Sequence, residues 1–112
     1  GARVLILGLA FKENCPDLRN TRVVNVVREL CDFGVLIDVF DPWVDHQSAF
    51  EEYNITMVCE PIDGHYDAIV VAVAHDAFKS LGVDGVRAFG KNGALLYDLK
   101  FMFPQIESDL RL

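Results

Sequence analysis

At 112 residues the chain has material for one compact core and too little for two, so residues 1–112 are expected to form a single domain. Its 52% hydrophobic content buries enough apolar surface to offset chain entropy without disulfides or a structural metal, which excludes a disordered chain. With 17 acidic against 10 basic residues the net charge is −7, so general binding to nucleic acid or to anionic membranes is disfavoured, and any phosphate ligand must meet a local cationic site.

Residues 3–9 (RVLILGL) are a continuous apolar run ending in leucine after a glycine, the pattern of a strand buried on both faces of a parallel sheet. Residues 10–20 (AFKENCPDLRN) have no period, contain Pro16 and predict a loop, long for a strand-to-helix connection and therefore suited to binding. Asn20 or Thr21 can cap the next helix, in which Val23, Val26, Val27 and Leu30 recur at helical spacing before Gly34 ends it. Residues 35–40 (VLIDVF) predict a second strand, stopped by Asp41-Pro42. A weaker helix over 46–53 and a short strand over 55–58 follow. Residues 66–74 (YDAIVVAVA) predict the next strand, Asp76 can cap a short helix through Leu81, and a further helix is expected near 83–89. Residues 94–98 (ALLYD) form the last predicted strand, and an irregular aromatic tail begins at Phe101.

Strands alternating with helices imply an α/β fold: a three-layer, open parallel sheet of Rossmann-like type with helices on both faces and strand order 3-2-1-4-5. In such sheets ligands bind beyond the carboxyl ends of the strands, where the order reverses, here between the first and fourth strands. That rule selects Phe11 and Lys12 after the first strand, His75 after the fourth, and Asp98 and Lys100 after the fifth. Arg19 and Arg22 near a helix N-terminus add to a cationic spot suited to a phosphate or pyrophosphate. Gly8-Leu9-Ala10-Phe11 lacks the repeated glycines of a dinucleotide fingerprint, so side-chain cations replace backbone amides.

Plainer roles exist for each residue. Lys12 fits a solvated loop lysine, Phe11 can complete a core or pack on an apolar ring, and Arg19 can pair with Asp17 or Glu13. His75, next to a helix start with no partner identifiable in sequence, reads as structural. Cys31 reads as a core position, Cys59 as a strand end and Cys15 as a loop residue before proline. With no CxxC pair, these three cysteines suggest neither a disulfide framework nor a metal site, and they point to a reducing, cytoplasmic setting. The longest apolar run, 68–74, is far shorter than the roughly 20 residues that span a bilayer. The chain opens on Gly1 rather than Met and is read as trimmed from a longer polypeptide.

The stretch from Gly8 to Thr21, GLAFKENCPDLRNT, resembles the signature that opens the C-terminal domain of the UDP-glucose/GDP-mannose dehydrogenase family. The VVNVVREL helix, Phe40-Asp41-Pro42, AVAHDAF and Tyr97-Asp98-Leu99-Lys100 follow in the family's order. The Asn-Cys-Pro-Asp variant is most similar to the branch that oxidises UDP-N-acetylhexosamines for bacterial surface polysaccharides. The resemblance implies oxidation of a UDP-sugar C6 alcohol to a carboxylate by two hydride transfers to NAD, through a thiohemiacetal on a cysteine of the central region. It implies that NAD is bound mainly by an N-terminal domain, that this chain supplies no catalytic residue, and that the full-length enzyme is a homo-oligomer. By the same resemblance Phe11 and Lys12 contact the UDP-sugar, Arg19 reaches the NAD pyrophosphate, and Lys100 matches a basic residue that is often arginine.

Two other classes fit an acidic α/β domain. A receiver-type signalling module needs an acidic pair after the first strand, where this chain has Gly-Leu-Ala-Phe-Lys. A pure assembly module would use the aromatic tail, Phe101 to Pro104, as its contact surface.

Overall fold

A computed structural model describes residues 2–19 and 21–99. Its centre is β1 (Arg3–Leu7), in which Val4 to Leu7 are all buried. Alternation along this strand divides the core: Val4 and Ile6 join one apolar cluster, Leu5 and Leu7 the other. β1 pairs in parallel with β2 (Leu36–Phe40) on one side and β3 (Tyr66–Val71) on the other, and β3 pairs in parallel with β4 (Gly90–Asp98). The order is therefore β2-β1-β3-β4.

Helix α1 (Val23–Asp32) buries Val23, Val24 and Val27 in the cluster with Val4 and Ile6, and α2 (His46–Tyr53) adds Ala49 to it. Helix α3 (Asp76–Arg87) places Phe78 and Val86 on the opposite face, against Leu5, Leu7, Ile69, Val71 and Leu96. The crossovers from β1 to β2 and from β3 to β4 run in opposite directions from the centre, so right-handed connections put their helices on opposite faces. No helix among the described residues is long and apolar enough to cross a membrane.

The expected order 3-2-1-4-5 is corrected at one edge. Residues 55–58 are not a strand, and the remaining four keep their expected arrangement. Ile55 and Met57 are buried while residue 56 is exposed, which is the alternation read in the sequence, but the bond from Val58 N to Val39 O (2.9 Å) is the backbone link found to β2 among the described residues. Any extended segment lying along a core edge alternates in this way; a strand also needs repeated ladder bonds.

The helix starts differ too. Arg22 is the N-cap of α1, with Thr21 Oγ1 accepting from Val23 N at 3.3 Å, and Asn20 lies outside the described residues. His75, not Asp76, is the N-cap of α3, and Gly82 at φ +70° and ψ 171° divides that helix where the sequence suggests two short ones. Cys31, read as core, is exposed. It lies in the last turn of α1, whose buried residues all lie in its first half, and the nearby Phe33 is 83% exposed.

Tyr66, the first residue of β3, ties that strand's start to the middle of β2. Its buried hydroxyl donates to Asp38 Oδ2 at 2.6 Å, and burial, with this bond, pushes its pKa up to about 12. A phenol whose pKa is raised on folding stabilises the fold fully below its ordinary value of 10.0, and that contribution is lost as pH rises toward 12. In an ultraviolet absorbance titration, the tyrosinate step that Tyr66→Phe removes is expected near pH 12; a step near 10 would show that the bond does not persist in solution.

Candidate functional site

Chain reversal places the switch point between β1 and β3, and a hollow of about 250 Å³ opens there. Its walls are Ala10 and Phe11 from beyond β1, Ala72 and Val73 from beyond β3, and Thr21, Arg22 and Val23 at the start of α1. Gly8 makes this closeness possible. At φ +102° it adopts a backbone conformation that suits glycine, and a Cβ there would lie 2.6 Å from Val73 Cβ. Thr21 Oγ1 donates to Leu9 O at 2.7 Å and so clips the helix start to the strand end.

The loop of residues 10–20 carries Phe11, Lys12 and Arg19, three of the seven residues singled out in the sequence. Phe11 is half exposed at the rim, and its N–H donates to Asp17 O at 2.7 Å, folding the loop back on itself. Arg19 grips Asp17 with a two-pronged fork, Nε to Oδ1 and Nη2 to Oδ2, both at 3.1 Å. This guanidinium and the Arg19 backbone N–H hold the Asp17 carboxyl below its ordinary range, and the Lys12 field acts in the same direction. The arginine side chain is 84% exposed, and its remaining guanidinium N–H groups face solvent. Lys12 is exposed beside Phe11, while Arg22 lines the hollow itself. Lys100 lies outside the described residues, as do Phe101 to Pro104.

Beneath the loop is a buried polar network that sequence reasoning missed. Asp41, directly after β2, accepts from Leu9 N (2.8 Å), Ala10 N (3.0 Å) and His75 Nε2 (2.9 Å) through Oδ2, and from Trp43 N (2.8 Å) through Oδ1. His75 is fully buried, and its Nδ1 accepts from the backbone N–H of Asn14 at 2.8 Å. That bond leaves Nδ1 without a proton, so Nε2 carries the hydrogen and donates to Asp41. Asn14 in turn accepts from Asp76 N through Oδ1 at 3.0 Å, capping α3 from across the site.

Burial alone would raise the Asp41 carboxyl, but the four donors outweigh it and hold the group below its ordinary range. With its oxygens so engaged, Asp41 offers no phosphoacceptor of the receiver type. His75 lies beneath the loop, outside the walls of the hollow, which fits its structural reading. The signals for the network were slight: an aspartate at a strand end before proline, and at Asn14 a residue type that tolerates the left-handed region it occupies at φ +55°. Larger hollows open elsewhere. One of about 470 Å³ is lined by Glu60 and Asp63, which repel phosphate, and one of about 440 Å³ lies at the amino end of β4, where Lys91 is engaged by Asp67.

Comparison with known proteins fits this architecture. Residues 5–105 match the model of the UDP-glucose/GDP-mannose dehydrogenase family, UDP binding domain. The chain is 55% identical over all 112 residues to a UDP-N-acetyl-D-glucosamine 6-dehydrogenase of Pseudomonas aeruginosa and 53% identical to one of Salmonella typhi. It spans 26% of the length of each. A solved UDP-glucose dehydrogenase from Pyrobaculum islandicum superimposes with a TM-score of 0.73 at 26% identity, covering 99% of this chain and 24% of the other. An open parallel sheet with a hollow at its switch point, matched over nearly its whole length by one family model, makes this chain a member of the UDP-glucose/GDP-mannose dehydrogenase family, as its UDP-binding domain.

Proposed function

We propose that this chain forms one wall of the active-site cleft of an NAD-dependent UDP-sugar 6-dehydrogenase, and that its switch-point hollow receives the UDP moiety of the substrate. The observation that carries the reading is the hollow itself, walled by Phe11 and Arg22 with Lys12 adjacent, on a protein whose net charge otherwise repels phosphate. The Lys12 ammonium acts as a point charge on the diphosphate, and Phe11 offers an apolar face to the base or sugar. Lys100, after β4, is proposed as a further cation for the same ligand. The names of the Pseudomonas and Salmonella relatives favour UDP-N-acetyl-D-glucosamine as the sugar, and the resemblance carried by Asn14-Cys15-Pro16-Asp17 favours bacterial surface-polysaccharide synthesis as the setting.

NAD, when bound, accepts the hydrides from C6. The loop after β1 has no repeated glycines to cradle a dinucleotide, so among the described residues NAD is met at one point, the exposed Arg19 guanidinium reaching its pyrophosphate. Most of the cofactor belongs to an N-terminal domain and the cysteine nucleophile to a central one. This chain's share of catalysis is binding energy and orientation. The exposed Phe33 and Leu36 supply apolar surface for contacts with those domains or within a homo-oligomer. Free cysteines, two of them exposed, suit the reducing cytoplasm.

Titration of the 112-residue chain with UDP, followed by amide chemical shifts, tests the reading. Shifts are expected at Phe11, Lys12, Arg22 and Val73, and Lys12→Ala is expected to weaken binding about fivefold, as befits one exposed charge-assisted contact. Shifts confined to another surface, or equal affinity in the variant, would overturn it. The same chain mixed with NAD and UDP-N-acetyl-D-glucosamine is expected to produce no NADH; turnover by the pure chain would show that it carries its own nucleophile.

A further inference from the structure

We infer that His75 is a positioning residue for the nucleotide-sugar site: its Nδ1 latches the backbone of Asn14 and so fixes the Phe11-Lys12 turn over the switch-point hollow. The inference rests on the ligand reading above and adds to it the part that places the cation.

The turn has little else to hold it. Residues 11–14 and 16 are exposed and Cys15 is half-buried, so apolar burial does not fix their path. What fixes it is polar. At one end, Asp41 Oδ2 takes the N–H groups of Leu9 and Ala10. At the other, His75 Nδ1 takes the Asn14 N–H, and the Asn14 side chain takes the N–H of Asp76. Between these anchors the Phe11 N–H is tied to Asp17 O within the loop, and Lys12 and Glu13 hang between that bond and the Asn14 latch.

Both anchors trace to one carboxylate. Asp41 Oδ2 also accepts from His75 Nε2, which sets the ring's orientation and tautomer and turns Nδ1 into an acceptor. The ring is held further by Phe78 and Trp43, with centroids 5.4 and 6.3 Å away. Three strand ends, those of β1, β2 and β3, therefore meet through Asp41 and His75 beneath the loop. A lysine that meets a diphosphate from a mobile loop loses entropy on binding; one held beforehand in place loses less and binds more tightly.

Two substitutions separate the two nitrogens. In His75→Gln the side-chain amide reaches the Nε2 position and can donate to Asp41, but nothing accepts at Nδ1. In His75→Asn the carbonyl oxygen falls at the Nδ1 position and can accept from Asn14, while the bond to Asp41 is lost. In the wild-type 112-residue chain the Asn14 amide is expected to exchange with solvent about tenfold more slowly than that of Glu13, although both residues are exposed. His75→Gln is expected to lose that protection and to bind UDP about tenfold more weakly. His75→Asn is expected to restore most of both.

An unprotected Asn14 amide in the wild type, or His75→Asn behaving as His75→Gln, would overturn the latch. Loss of Asn14 protection in His75→Gln with unchanged UDP affinity would overturn the positioning role alone. A protected Asn14 in a wild-type chain that gives no UDP shifts at Phe11 and Lys12 would instead overturn the ligand reading, leaving the latch as a loop anchor.

Discussion

Gly8→Ala is expected to destabilise the domain by about 4 kcal/mol, a large share of the roughly 5–15 kcal/mol that holds a domain of this size together. Two effects add. A non-glycine residue at φ +102° costs about 1–3 kcal/mol in backbone strain. The new Cβ also meets Val73 Cβ at 2.6 Å, its Cγ2 at 2.8 Å and its backbone N at 2.9 Å, and forcing that overlap adds about 1–3 kcal/mol. Val73 Cγ2 could rotate away, but its Cβ and backbone nitrogen are fixed by the segment leaving β3 and cannot. Gly34→Ala provides the comparison, because Gly34 is also left-handed, at φ +78°, and has open space around it. It should lose only the strain, about 1 kcal/mol. Urea unfolding of the three proteins checks this. If the Gly8 and Gly34 variants shift the midpoint equally, the close approach of β1 to the end of β3 is not a real constraint.

Asp41→Ala is expected to cost about 3–5 kcal/mol, because it leaves the N–H groups of Leu9, Ala10 and Trp43 and the His75 Nε2–H without their acceptor in a buried place. It should also change the response to acid. The folded Asp41 carboxyl sits below its ordinary value of 3.8, since His75 and the three backbone donors outweigh the effect of burial. A carboxyl lowered on folding contributes its full stability above that ordinary value and loses it as pH falls through the folded one. Wild-type stability should therefore drop on acidification below about pH 4, and Asp41→Ala should remove much of that drop. Asp17 is lowered as well, first by its pair with Arg19, and Asp67 first by the Arg3 N–H and then by Lys91; raised salt weakens the ion-pair part of both, and the difference between wild type and Asp41→Ala reads the share of Asp41. An unchanged acid slope in the variant would mean that the network is not charged in the folded state.

Much of the architecture was legible in the residues themselves. RVLIL and YDAIVV read as strands because inner strands covered on both faces are mostly apolar, and LIDVF, an edge strand, read as one from its short apolar run between Gly34 and Asp41-Pro42. The helix of residues 46–53 matches its expected bounds, because Asp45 caps it by accepting from Ser48 N and Asn54 closes it in the left-handed region. The segment 55–58 misled because buried and exposed residues alternate there without a ladder, and alternation reports which way side chains face rather than what the backbone pairs with.

The site divides along the same line. Composition, hydrophobic period and turn residues, read locally, determined an acidic α/β domain whose loop after the first strand carries Phe11, Lys12 and Arg19, and the motif from Gly8 to Thr21 pointed to its family. Only the folded chain decided that Arg19 spends part of its guanidinium on Asp17, and that His75 joins Asp41, 34 residues away, and Asn14, 61 residues away. The physical reason is range. A period or a cap is set by neighbours a few positions apart, whereas the partner of a buried hydrogen-bonding group is whichever group the packed sheet brings within about 3 Å, and no local pattern records it.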